Sequence, residues 1–157
     1  MLVYRVSGSA VVEVLIAHPG GPFWAKKDVG AWSIPKGEHE EHAEPLMAAF
    51  REFREETGQA PPDAAPVELG ELVQPSRKRV TAWALEGDVD LTDTTSNTFE
   101  MEWPKGSGRI REFPEVDQVE WVTVATARAK LLKGQVPFLD RLMDVVRARH
   151  GAVKEGS

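Results

Sequence analysis

Apolar positions recur along the chain with two different periods. Residues 2–6 (LVYRV) and 9–17 (SAVVEVLIA) are dense in β-branched and aliphatic side chains and predict strands. Residues 18–32 (HPGGPFWAKKDVGAW) open with four glycines and prolines in five positions and predict a loop. From Pro45 the period lengthens: Leu46, Ala49, Phe50, Phe53 and Thr57 fall on one side of a helix at 100° per residue. Pro45 suits the first turn of that helix, and Gly58 the position past its end. Residues 61–66 predict a turn, followed by strands at VELGELV and KRVTAWALEG.

Residues 87–112 are polar and predict a long excursion, with strand only at TFEMEW. VEWVTV at 119–124 predicts another strand. Helices follow at 125–133 and 137–149, the second striped with Phe138, Leu142, Val145 and Val146. The last residues, about 150–157, predict a flexible tail. Strands mixed with three helices imply one α/β domain over 1–157, with a mixed sheet covered on both faces.

The helical stretch REFREETG sets Glu52, Glu55 and Glu56 opposite its apolar face. Like charges at this spacing oppose a helix by a few tenths of a kcal/mol. A solvated acidic face is the ordinary reading of such a cluster. A hard cation bound by the carboxylates is the other, because Mg²⁺ prefers oxygen and the tight turn at PKG brings backbone carbonyls toward the same space. Arg51 and Glu55 form an i,i+4 pair.

Composition narrows the partners. With 19 Lys and Arg against 25 Asp and Glu, the net charge is −6, which counts against nucleic acid or an anionic membrane. It does not count against phosphate substrates, since a bound cation reverses the local sign. The absence of cysteine excludes disulfides and thiolate chemistry. No apolar run approaches 18 residues and no signal-peptide pattern opens the chain, so a cytoplasmic protein is expected.

GEHEEHAEPLMAAFREFREETGQ resembles the Nudix box, G-x5-E-x7-R-E-U-x-E-E-x-G-U. Gly37, Arg51, Glu52, Glu55, Glu56 and Gly58 match in register, and Phe53 fits the first bulky position U. Six fixed matches arise by chance roughly once in ten million starts at ordinary residue frequencies. AWSIPKGE is similar to the family's approach to the box. PEVDQVEWV resembles a late segment of the diadenosine-polyphosphate and RNA-cap branches. Two positions depart: Ala43 replaces the first motif glutamate, with Glu44 one place late, and Gln59 replaces the last aliphatic residue. Glu40, Glu41 and Glu44 are the candidates to stand in for the missing carboxylate.

The resemblance implies an α/β/α sandwich and cleavage of a nucleoside diphosphate linked to another group. It implies Mg²⁺ or Mn²⁺ held by Glu52, Glu55 and Glu56 with the Gly37 carbonyl, and Arg51 fixing a glutamate rotamer. Glu52 and Glu115 are the leading candidates for the base, Glu115 preferred, with Glu120 in reserve and Glu100, Glu102 and Glu112 open. Lys36 is placed to reach a phosphate, and Lys26, Lys27, Arg77, Lys78 and Arg79 to form a positive rim. Trp24, Phe99 and Trp103, on polar loops, are candidates to stack on a base, with packing onto the core as the other reading. Trp32, Trp83 and Trp121 are expected in the core, and the four histidines carry no assigned role. A dinucleoside polyphosphate such as diadenosine tetraphosphate is the expected substrate. An ordinary or oxidised nucleoside triphosphate is the alternative, and a nucleotide-sensing module of weak activity the reading from a different class. The spacing leaves oligomeric state open.

Overall fold

Five strands form a mixed sheet in the order β3-β4-β1-β2-β7. The computed structural model describes residues 1–35 and 44–157. The strands are β1 (Leu2–Val6), β2 (Val12–Pro19), β3 (Val67–Val73), β4 (Arg79–Glu86) and β7 (Val116–Thr123). β1 runs parallel to β4, and the other pairs are antiparallel. β5 (Thr98–Glu102) and β6 (Ile110–Pro114) make a separate hairpin. The helices among the described residues are α1 (Pro45–Thr57), α2 (Val124–Lys130) and α3 (Pro137–His150), with a short 3₁₀ turn at Lys133–Gln135.

Alternation along the strands builds two cores, one on each face. On one face Leu15, Val3 and Leu85 bury against Ala49 and Phe53 of α1. On the other, Val14, Ile16, Ala82 and Ala84 meet Ala127 of α2 and Phe138, Leu142 and Val146 of α3. The result is the α/β/α sandwich expected from the sequence. Trp32 and Trp83 are buried as expected, while Trp121 is half-buried beneath the Arg5 guanidinium at 4.1 Å.

Three local expectations need correction. The excursion at 87–112 contains a second strand, β6, whose mostly exposed side chains give no apolar alternation to read. The helix expected to reach 133 ends at Lys130, and the chain then enters the 3₁₀ turn. The tail does not fray. Lys154 pairs with the backbone of Ala10 and Val12, the Ala125 amide donates to the Glu155 carbonyl, and the Glu155 carboxylate takes the Arg128 guanidinium at 2.5 Å.

One end of the sheet carries the functional loops. There β1, β4 and β7 begin and β2 and β3 finish, so residues 19–35, the β3–β4 turn and the segment at 115–118 share that edge.

Candidate active site

α1 is capped at both ends by its sequence. The Glu44 carboxylate accepts from the amides of Leu46 and Met47, satisfying donors that the first turn leaves open. The glutamate displaced by one place from the motif therefore closes the helix N-terminus. At the other end Gly58 adopts φ 71°, and a Cβ there would lie 2.2 Å from Thr95 Oγ1. The motif glycine thus meets two demands, a left-handed cap and a close approach.

The close approach belongs to a segment that covers the acidic face. Thr95 and Asn97 donate their amides to the carbonyls of Thr57 and Glu55, and the Gln59 amide group donates to the Asp93 carbonyl. Gln59, at a position where the motif has an aliphatic residue, is one of these ties. The segment then reaches β7: the Glu115 amide donates to the Asn97 carbonyl at 2.8 Å and the Val116 amide to Ser96 Oγ. Residues 93–97 therefore bridge α1 to Glu115. Glu52, Glu55 and Glu56 are half-buried, while Arg51 and Arg54 remain exposed. Glu56 lines a small cavity shared with residues 94–96 and 116–119. A merely solvated acidic face has no such cover.

Arg51 lies 3.4 Å from a Glu52 oxygen and 3.9 Å from a Glu55 oxygen. Burial holds the Glu52 carboxyl above the usual carboxylate range; the charges of Glu55 and Glu115 add to the effect, and Arg51 opposes it. Like charges held together in partial burial, presenting only hard oxygen donors, fit a divalent cation. Among the described residues no three His, Asp or Glu side chains are already gathered at ligating spacing. Gly37, Lys36 and Ala43 lie outside the described residues, as do Glu40 and Glu41.

Of the candidate bases, Glu115 lies within electrostatic reach of Glu52. Glu120 does not share that face. Its neighbours Val119 and Trp121 pack on the α1 side of the sheet, so alternation turns Glu120 to the other side, where Lys130 is 3.8 Å away. Glu100, Glu102 and Glu112 are exposed on the β5–β6 hairpin, and Glu102 takes the Gly106 amide.

Glu115 also lines a cleft of about 460 Å³ with Gly20, Gly21, Phe23, Trp24, Phe99 and Met101. The cleft is mostly apolar with one carboxylate, and its size suits a small ligand. Two of the three proposed stacking residues, Trp24 and Phe99, thus meet the proposed base. Trp103 stands outside the lining and contacts Phe23 edge-to-face at 5.6 Å. Lys27 lies over the Trp24 ring at 4.9 Å. Lys26 is exposed on the same loop, while the remaining members of the expected positive rim, Arg77, Lys78 and Arg79, are at the β3–β4 turn, where Arg79 is 3.6 Å from Glu71.

That turn borders a second cleft, lined by Gln74, Ser76, Lys78, Lys133 and Gln135. Gln135 is 1 % exposed. Its Oε1 accepts the Ile34 amide at 2.9 Å, which fixes the amide orientation, and its Nε2 has no hydrogen-bond partner among the described residues. Sequence reading missed Gln135, because a lone glutamine in an apolar stretch carries no signal. It also missed His18, whose ring sits between Asp117 and the Lys27 carbonyl.

Comparison with known proteins places this arrangement. A family model described as the NUDIX domain matches residues 5–142. The fold is similar to that of a C. elegans Ap4A hydrolase in a binary complex, with TM-score 0.64 and 17% identity over 94% of this chain and 96% of that one. It is also similar to RenU, a Nudix hydrolase from M. smegmatis, with TM-score 0.53 and 19% identity over 94% of this chain and 83% of that one. The NUDIX domain of Shewanella oneidensis NrtR, complexed with ADP ribose, superposes with TM-score 0.57 and 14% identity over 92% of this chain and 84% of that one. No curated protein matches significantly. At such identities the structural likeness speaks for the fold, and the family model spans most of the chain. With the motif glutamates half-buried on α1 and their covering segment leading to Glu115, the chain belongs to the Nudix family of hydrolases acting on phosphoric anhydride bonds.

Proposed function

We propose that the chain is a metal-dependent pyrophosphohydrolase of nucleotides, and that its substrate is a dinucleoside polyphosphate such as diadenosine tetraphosphate. The observation that carries the reading is the pair of clefts on one edge of the sheet. The aromatic cleft opens beside Glu115, and the second cleft, with Gln135, Lys78 and Lys133 in its lining, lies across the same edge at the β3–β4 turn. A substrate with a nucleoside at each end of a phosphate chain uses both. The fold likeness to an Ap4A hydrolase supports the same choice.

Glu52, Glu55 and Glu56, with the Gly37 carbonyl, are the residues to hold Mg²⁺ or Mn²⁺. A divalent cation held there would supply charge neutralisation at the diphosphate and a water of lowered pKa. Arg51 holds Glu52 and Glu55 in place. Glu115 takes a proton from water as its oxygen bonds to phosphorus. The phosphorus–bridging-oxygen bond breaks, and the electron pair leaves on the bridging oxygen. Trp24 and Phe99 stack on one base. Lys36 is assigned to a phosphate. Trp103 is assigned to the base side through Phe23.

The purified chain is expected to split diadenosine tetraphosphate with Mg²⁺ or Mn²⁺ and to lose turnover in EDTA. Glu55→Gln is expected to lower kcat by about 100-fold or more, since loss of a ligand exceeds the roughly 10–100-fold cost of losing a residue that only orients one. Product masses identify the bond cut. Equal turnover in EDTA or in Glu55→Gln overturns the metal assignment. Nucleoside triphosphates, ordinary or oxidised, form the second reading, because Gln135 Nε2, without a hydrogen-bond partner among the described residues, is a donor for a single base. Higher kcat/KM on a triphosphate than on the dinucleotide decides for it.

A further inference from the structure

His18 is 6 % exposed at the end of β2, and both its ring nitrogens face acceptors. Nδ1 is 2.7 Å from Asp117 Oδ1, and Nε2 is 2.6 Å from the Lys27 carbonyl oxygen. A carbonyl only accepts, so Nε2 carries a hydrogen and donates it. The carboxylate needs a second hydrogen between itself and Nδ1. The ring therefore makes two bonds at once, to β7 on one side and to the loop after Trp24 on the other.

The register of the sheet makes this contact. Pairing of β2 with β7 slips between His18 and Pro19: His18 faces Gln118 and Pro19 faces Val116. Asp117 is the extra residue of a β-bulge, and a bulge re-aims the side chain it carries. Here the side chain is aimed at the His18 ring. Trp32 stacks edge-to-face on that ring at 5.1 Å, and its indole N–H donates to Asp28 at 2.7 Å. The loop from Trp24 to Trp32 is thus arranged around the imidazole.

We propose that His18 is a positioning residue for the aromatic cleft, holding the Trp24 wall at a fixed place relative to Glu115. The proposal rests on the reading of that cleft as a base site. Glu115 itself has independent anchors, since its amide donates to Asn97 and its carbonyl accepts the Gly20 amide at 3.0 Å. The Lys27 amide donates three residues back, to the Trp24 carbonyl, so the imidazole's bond to the Lys27 carbonyl bears on the turn that carries Trp24. Removing the imidazole loosens the stacking wall and leaves the base in place. The signature is a KM effect with little change in kcat.

The test measures kcat and KM on diadenosine tetraphosphate with Mg²⁺ for full-length variants whose folding is verified by circular dichroism. His18→Phe, which keeps ring volume but neither hydrogen bond, is expected to raise KM about fivefold to tenfold, the worth of one or two hydrogen bonds. Its kcat is expected to stay within about twofold, since the Glu115 anchors remain. Asp117→Asn is expected to keep KM near that of the parent. The asparagine amide donates to Nδ1 of a neutral ring, and Nε2–H still reaches Lys27. Asp117→Ala is expected to raise KM, and the Ala–Asn contrast decides if His18→Phe does not fold. Unchanged KM in His18→Phe, equal KM in Asp117→Ala and Asp117→Asn, or a fall in kcat without a rise in KM overturns the proposal. Trp24→Ala runs in parallel. Unchanged KM there overturns the base-site reading, and the His18 proposal with it. Raised KM there with unchanged KM in His18→Phe overturns the His18 proposal alone.

Discussion

At Glu52, burial and its acidic neighbours oppose ionisation, and the chain keeps the carboxyl nonetheless. A carboxyl whose pKa is raised on folding holds its proton more tightly in the folded than in the unfolded chain. It therefore costs no stability below the unfolded value of 4.5, and the cost grows as pH rises through the folded pKa. In metal-free buffer Glu52→Gln is expected to raise Tm at neutral pH, with the gain vanishing at about the unfolded pKa. Thermal melts across pH check this, and a Tm lowered at neutral pH would contradict it. Gly58 gives a second test. Gly58→Ala combines a left-handed φ with a clash against Thr95, so a loss above about 1 kcal/mol is expected in denaturant titrations. The motif residues were legible in the sequence because their spacing is local. His18 was not, because its partner Asp117 stands 99 positions away and only the strand register brings the two together.

The elements differ in how far their own residues announce them. α1 carries a proline at its start, a glycine past its end and an apolar stripe, so its bounds were readable. β1 to β4 were readable from aliphatic density. β6 was not: its side chains face solvent, and only its pairing with β5 makes it a strand. Nor could spacing reveal that residues 93–97 fold back over the acidic face. That contact is made by backbone amides, which every sequence has. The hairpin also docks on the loop after β2 through Gly21, where a Cβ would lie 2.9 Å from the Phe99 ring. Gly21→Val is expected to displace the hairpin, raising KM on the dinucleotide about tenfold, the order of one lost base–aromatic stack. Steady-state kinetics checks this, and an unchanged KM would separate the hairpin from the base site.

In the whole molecule, the order of strands was beyond the sequence, because a parallel pair such as β1 with β4 is set by contacts far apart in the chain. The mixed sheet with helices on both faces was legible from the mixture of periods. The tail was misread because Val153, Lys154 and Glu155 carry no strong pattern, yet Glu155 shares Arg128 with Asp140 and clips the end of the chain to α2. Deleting residues 153–157 is expected to cost about 1–3 kcal/mol, the range for charged hydrogen bonds lost together with local packing. Chemical denaturation measures it, and an unchanged midpoint would contradict the clip. The pairing of β2 with β7 has a consequence for synthesis. Seven positions of β2 find their neighbours in residues 116–123, so a ribosome completes one side of the central sheet only after about a hundred further residues have been made. Until then β2 presents a bare row of amides and carbonyls that strands of other nascent chains can pair with, and chaperone occupancy is expected to peak over that interval.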